Sequence, residues 1–182
     1  MPEPAPDSAA ATPPAPEIPD DPAARRQMTT RLLYEAGVHR SKGELDSAIV
    51  AFSQALELSP ESFSAYNNRG LTFLEKGAFQ DAIGDFTEAI RLQPDRAFVY
   101  TNRATAYERL EDLESVISDY STALEIDPKL AGAYFNRGNC FFRAEIYQKA
   151  IDDYDRALDI NRRYPGAKDN KRLAQQKLKE SR

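Results

Sequence analysis

FSAYNNRGLTFLEKGAFQDAIGDFTEAIRLQPDR, residues 63–96, is one unit of a 34-residue pattern that fills most of this chain. Its first half places Tyr66, Gly70 and Phe73 at i, i+4, i+7, one face of a helix. Its second half repeats the spacing with Ala82, Phe86 and Ala89. Lys76-Gly77 separates the halves, glycine suiting the left-handed position after a helix end. Pro94 closes the unit. Segments 29–62, 97–130 and 131–164 fall into the same columns. One column reads Ala36, Gly70, Ala104, Gly138; another reads Ala48, Ala82, Val116, Ala150. A third is aromatic throughout (Phe52, Phe86, Tyr120, Tyr154) and a fourth is Ala55, Ala89, Ala123, Ala157. Pro60, Pro94 and Pro128 form a fifth, broken by Arg162. Small side chains let two antiparallel helices approach closely, and the rings fill the space beside the crossing. A fixed period of this size predicts a stack of identical helix pairs. Such stacks present a long surface for binding and usually carry no active site.

The unit length, the small–small–aromatic–small spacing and the closing proline resemble the tetratricopeptide repeat family over residues 29–164. The resemblance implies an all-α fold: an α-solenoid of antiparallel helix pairs in a right-handed superhelix, its first helices lining a concave face. Unit one matches less closely, with Glu35 and His39 where other units hold Arg and an aromatic. Glu111 and Glu145 occupy the slot of Gly43 and Gly77, so those two turns are expected to close differently.

The 182 residues suffice for one repeat domain, residues 21–164, and for no second globular one. No apolar run is long enough to span a membrane. The start has neither a basic nor an apolar segment of the secretory kind, which favours the cytoplasm. An acidic Ala/Pro-rich leader also resembles a mature exported bacterial protein after signal removal, which keeps the periplasm open. Cys140 stands alone, so neither a disulfide framework nor a thiolate metal site can be built on it. His39 is also alone, and we expect a histidine packed in the helix pair. No Ser/His/Asp set, metal cluster or phosphate loop is present, so we expect no catalysis, metal or cofactor.

The two ends differ from the units. Eight of the twelve prolines lie in residues 1–24, among alanines and acids. We expect residues 1–20 to be a disordered arm. Asp21-Pro22 reads as a helix start before the repeat register begins. Residues 165–182 read as a basic capping helix and tail, with Leu173, Ala174 and Leu178 facing unit four. Residues 1–24 carry five acids and no base, while the whole chain is −5. That acidic total disfavours nucleic acid as a partner.

Two polar columns stand out. Asn68, Asn102 and Asn136 each lie two residues from a core aromatic and two from a core small residue, and so point away from the helix-pair interface. A carboxamide offers one donor and one acceptor group, matching a peptide unit. Three at one-unit intervals can hold an extended peptide by its backbone; the alternative is inter-helix bonding that holds the stack. Leu71, Leu74, Phe98, Phe135, Asn139 and Phe142 share that face by their spacing, as pockets for side chains, although Phe135 and Phe142 have the cap as an alternative partner. The second column pairs Arg69 with Asp85, Arg103 with Asp119 and Arg137 with Asp153, each 16 residues apart. We read these as structural ion pairs, the alternative being an Arg reaching into the groove for a carboxylate.

Chaperone-docking members of the family clamp a C-terminal carboxylate with Lys and Asn on first helices. Here the expected positions hold Leu33, Gly37 and Phe98, or in the next register Asn67, Leu71 and Gly132, so that subtype is disfavoured. The expected function is a non-enzymatic scaffold, monomeric, that takes an extended protein segment in its groove. A self-associating module and a regulatory or targeting subunit of an enzyme complex are the alternatives.

Overall fold

The structure is a computed structural model that describes residues 20–181. The expected arm lies outside the described residues, apart from the exposed Asp20. Among the described residues the elements are helices: α1 (Pro22–Ser41), α2 (Leu45–Leu58), α3 (Phe63–Lys76), α4 (Phe79–Leu92), α5 (Ala97–Arg109), α6 (Leu113–Ile126), α7 (Ala131–Arg143), α8 (Tyr147–Ile160) and α9 (Ala167–Glu180). Each helix packs chiefly on its neighbours in sequence. Successive first helices also touch (α1 with α3, α3 with α5, α7 with α9), while second helices make no comparable contact with one another. The stack therefore curves with its first helices inside. This is an α-solenoid closed by a C-terminal capping helix.

The columns of the sequence are the core. Phe52, Phe86, Tyr120 and Tyr154 are buried between the helices of their own units. Gly70 and Gly138 face these rings so closely that a Cβ would lie 2.9 Å from Phe86 and 2.9 Å from Tyr154. α1 starts at Pro22, seven residues before the repeat register, and the Asp21 carboxylate accepts from the backbone N–H of Ala23 and Ala24.

The turns correct one expectation. Glu111 and Glu145 adopt the same left-handed conformation as Gly43 and Gly77, each at φ 60°. Asp112 N–H donates to Tyr107 O and Ile146 N–H to Phe141 O, as Ala78 N–H does to Phe73 O. With Glu111 N–H on Glu108 O and Glu145 N–H on Phe142 O, two backbone hydrogen bonds per turn hold the chain in a conformation where glycine is preferred.

The Arg–Asp column joins three helices at a time. Arg69 Nε and Nη2 donate to the two Asp85 carboxylate oxygens at 2.8 and 2.7 Å, and Nη1 donates to Ser53 Oγ of the preceding second helix at 2.8 Å. Arg103 meets Asp119 and Thr87 in the same way, and Arg137 meets Asp153 and Ser121. Rings flank each guanidinium, Tyr66 and Phe73 in the case of Arg69. The three aspartates are buried. Burial raises the Asp85 carboxyl above its ordinary value against the opposing pull of Arg69, whose own guanidinium the Asp85 hydrogen bonds raise. A fork spent in this way sets the angle between units.

Both ends depart from the columns. Among the described residues no helix precedes α1, and Arg31 stands where Ala65, Val99 and Ala133 are buried and pairs with Glu35 at 2.7 Å. α9 is followed by no second helix among the described residues. It keeps the residues that face back, Ala167 and Ala174, and Lys171 bonds Asp155 at 2.5 Å in the place of the arginine fork. Lys168, Arg172 and Gln175 are exposed where units two to four place a half-buried Tyr, a buried Gly or Ala, and a buried or half-buried aromatic. His39 is not packed as expected. It is half-exposed, and its Nδ1 lies 2.5 Å from Glu44 Oε2 across the turn.

Candidate functional site

The concave face is built from first helices, and its depressions lie at the seams between them. One cavity of about 300 Å³ separates α5 from α7 and is lined by Asn102, Thr105, Tyr120, Gly132 and Asn136 among others. One of about 240 Å³ separates α7 from α9 and is lined by Asn139, Phe142, Arg143, Tyr154, Asn170 and Leu173. Adding 34 to Thr105, Tyr120 and Asn136 gives Asn139, Tyr154 and Asn170. The cavities therefore overlap at three positions one unit apart, including a tyrosine of the second helix; the first extends toward the start of α7 and the second toward its end, at Phe142 and Arg143.

The tyrosine hydroxyl decides what the asparagines do. Asn136 Nδ2 donates to Tyr120 Oη at 3.1 Å. At the next seam Tyr154 Oη donates to Asn139 Oδ1 at 2.9 Å, and Asn170 Nδ2 donates to the same oxygen at 2.9 Å. Burial pushes the Tyr154 phenol up to about 12, against a hydrogen bond from Asn170, and raises Tyr120 against Asn136 and Thr105. In units one and two the ring is a phenylalanine with no hydroxyl to offer. Asn102 reaches only Asn67 Oδ1, at 3.5 Å, and Asn68 turns its amide back to Ser64 O of its own helix at 2.8 Å.

The structure thus separates the expected site residues. It brings Asn102 and Asn136 to one seam, and Asn139 and Phe142 to the next. Phe98 is exposed, with its ring edge-on to Phe63 at 6.1 Å. Leu71 and Leu74 are half-buried and pack on the cluster around Phe86. Phe135 lies between the rings of Tyr154 and Tyr164, at 5.9 and 5.0 Å, under the start of α9. Leu173 is not the cap contact expected of it: Ala174 is buried and Leu178 packs on unit four, whereas Leu173 is exposed at the second cavity. Tyr120, Tyr154, Arg143 and Asn170 were missed as site residues. Continuing the asparagine column one period past unit four would have found Asn170.

Among the described residues no group of His, Cys, Asp and Glu is placed to hold a metal ion, and no helix is long and apolar enough to cross a membrane.

Comparison with known proteins agrees with this architecture. Profiles described as tetratricopeptide repeat match residues 63–96, 99–130 and 131–164, and one described as TPR repeat matches 38–77. No curated protein matches the chain. Among solved structures, the MamA protein is similar at 23% identity and a TM-score of 0.81, covering 84% of this chain and 84% of its own. YrrB, described as a TPR protein with an unusual peptide-binding site, is similar at 21% identity and a TM-score of 0.73, over 83% of this chain and 77% of its own. The first TPR of Spaghetti (RPAP3), bound to the HSP90 peptide SRMEEVD, is 27% identical with a TM-score of 0.61, over 64% of this chain and 92% of its own. With the 34-residue columns, the helix pairs and these matches together, the chain belongs to the tetratricopeptide repeat family.

Proposed function

We propose that this protein is a non-enzymatic, monomeric scaffold whose concave face holds an extended segment of a partner protein. In this reading residues 21–164 form the binding body and 165–182 its cap. The observation that carries the reading is a cavity at each of two successive seams of the concave face, with a tyrosine and carboxamides of matching positions in both linings. A single cavity suits a small molecule. Two cavities at seams about 10 Å apart, the separation of packed helices, suit a chain that rises about 3.3 Å per residue. The peptide-binding site named for YrrB and the peptide named for the first TPR of RPAP3 support the same ligand class.

The division among the asparagines supplies the test. Asn68 and Asn102 have no tyrosine to hold them, so Asn68→Ala with Asn102→Ala is expected to weaken a partner recovered by co-purification and leave the melting temperature unchanged. Each net hydrogen bond contributes ~0.5–1.5 kcal/mol, so the pair contributes ~1–3, roughly 5- to 150-fold in Kd. Asn136→Ala is expected to lower stability, since it removes the hydrogen bond from Asn136 to the buried Tyr120 hydroxyl. Calorimetry and unfolding curves on the same samples decide the matter. Unaltered affinity in the folded double variant ends the ladder reading.

A further inference from the structure

The seam between α7 and α9 differs in chemistry from the one before it. Phe142 and Leu173 supply apolar walls, and Leu173 is exposed although it is a large aliphatic side chain. Asn139 Oδ1 is spent on Tyr154 and Asn170, which leaves the Asn139 amide and the Asn170 carbonyl without a hydrogen bond among the described residues. Arg143 stands at the rim, exposed and in no ion pair among the described residues. Arg109 occupies the same position one unit earlier, also exposed and unpaired among the described residues. Toward the other end of the face the charge is answered: Arg40 lies 3.6 Å from Glu75. Glu108, at the end of α5, acts on the buried Cys140 thiol, as Arg143 does, but forms no ion pair with that arginine.

We infer that this seam accepts an apolar side chain of an acidic partner segment, with the carboxylate beside that side chain on Arg143. An aliphatic side chain fits between Phe142 and Leu173, and its burial covers surface that is now wet. The free amide of Asn139 and the free carbonyl of Asn170 meet the flanking peptide unit. A guanidinium recognises a carboxylate by two parallel hydrogen bonds, and Arg109 extends the preference one unit along the groove. A basic lip on a chain of net charge −5 marks a local preference, so the partner segment is acidic where it crosses this half. This inference rests on the peptide-groove reading above.

The test is an array of immobilised nine-residue synthetic peptides of varied composition, probed with the full chain and with Arg143→Glu and Leu173→Asp. Both side chains are exposed, so both variants should fold, Arg143→Glu with only a small loss in melting temperature from its place at the end of α7. Wild-type protein is expected to select peptides with Leu, Ile or Phe next to Asp or Glu. Arg143→Glu should lose the acidic preference and bind the selected peptides about tenfold more weakly or worse. Leu173→Asp should lose the apolar preference. Arg143 also sits at a helix C-terminus, where a cation complements the dipole; that role alone would alter stability and leave selection unchanged, which would overturn the inference. Selection of peptides without the acidic–apolar pattern overturns the seam assignment and leaves the groove reading standing. A chain that selects no peptide at all overturns both.

Discussion

Glu111 and Glu145 are the residues at which a local rule is broken for the sake of the repeat. A left-handed non-glycine residue costs roughly 1–2 kcal/mol, part of which a glycine would return through a more flexible unfolded chain. Glu111→Gly and Glu145→Gly are each expected to raise stability by about 0.5–1 kcal/mol, read as a higher urea midpoint at unchanged slope. A lower midpoint would show that the glutamates make compensating contacts. Cys140 is the other residue with a sharp expectation. Burial pushes its thiol up to about 11, so it should resist thiol reagents at neutral pH and react only on unfolding. The raised Cys140 and Tyr154 both bind their protons more tightly in the folded state. Their contribution to stability is therefore intact below pH ~9 and falls as pH rises toward 11–12. Tyr154→Phe should flatten the upper part of that fall in a pH series of unfolding curves.

At the scale of the element, each helix pair is held by a ring against a small residue and by an arginine fork that reaches back. Phe86 is buried between α3 and α4, beside Gly70. Phe86→Ala is expected to cost ~3–5 kcal/mol. Because units touch only their neighbours, hydrogen exchange should quicken first in α3 to α6; uniform quickening over the whole chain would contradict this. Asp119→Ala leaves Arg103 without its carboxylate in a largely buried place, at an expected cost of ~3–5 kcal/mol. A loss below about 1 kcal/mol would mean that water replaces the partner freely. The fork pairs were legible as a 16-residue spacing. Their third partner, Ser53, Thr87 or Ser121, was not, because it belongs to the preceding unit and hydroxyl residues at exposed or half-buried helical positions carry no signal of their own.

For the whole molecule the ends matter most. α9 covers Ala150, Ile151 and Tyr154 with Ala174 and Leu178. Removing residues 165–182 should wet that cluster, lower the melting temperature and fray α7 and α8 ahead of the rest. Exchange data showing α1 and α2 opening first would place the weak end elsewhere.

Period and columns by themselves determined the helix pairs, the core rings and the close approach at Gly70 and Gly138, and the adjacent Asp21-Pro22 marked the start of α1. Each of these depends on residues close in the chain, where helical geometry fixes who meets whom. The sequence also showed Asn68, Asn102 and Asn136 as one column. Only the tertiary structure divided them, because Asn136 bonds the hydroxyl of Tyr120 on the preceding second helix, and one oxygen atom separates Tyr120 from Phe86. The outward turn of Leu173 was equally beyond reach of the sequence: as the last first helix, α9 has a face toward unit four and a face toward the groove, and only the angle at which it docks assigns Leu173 to the second.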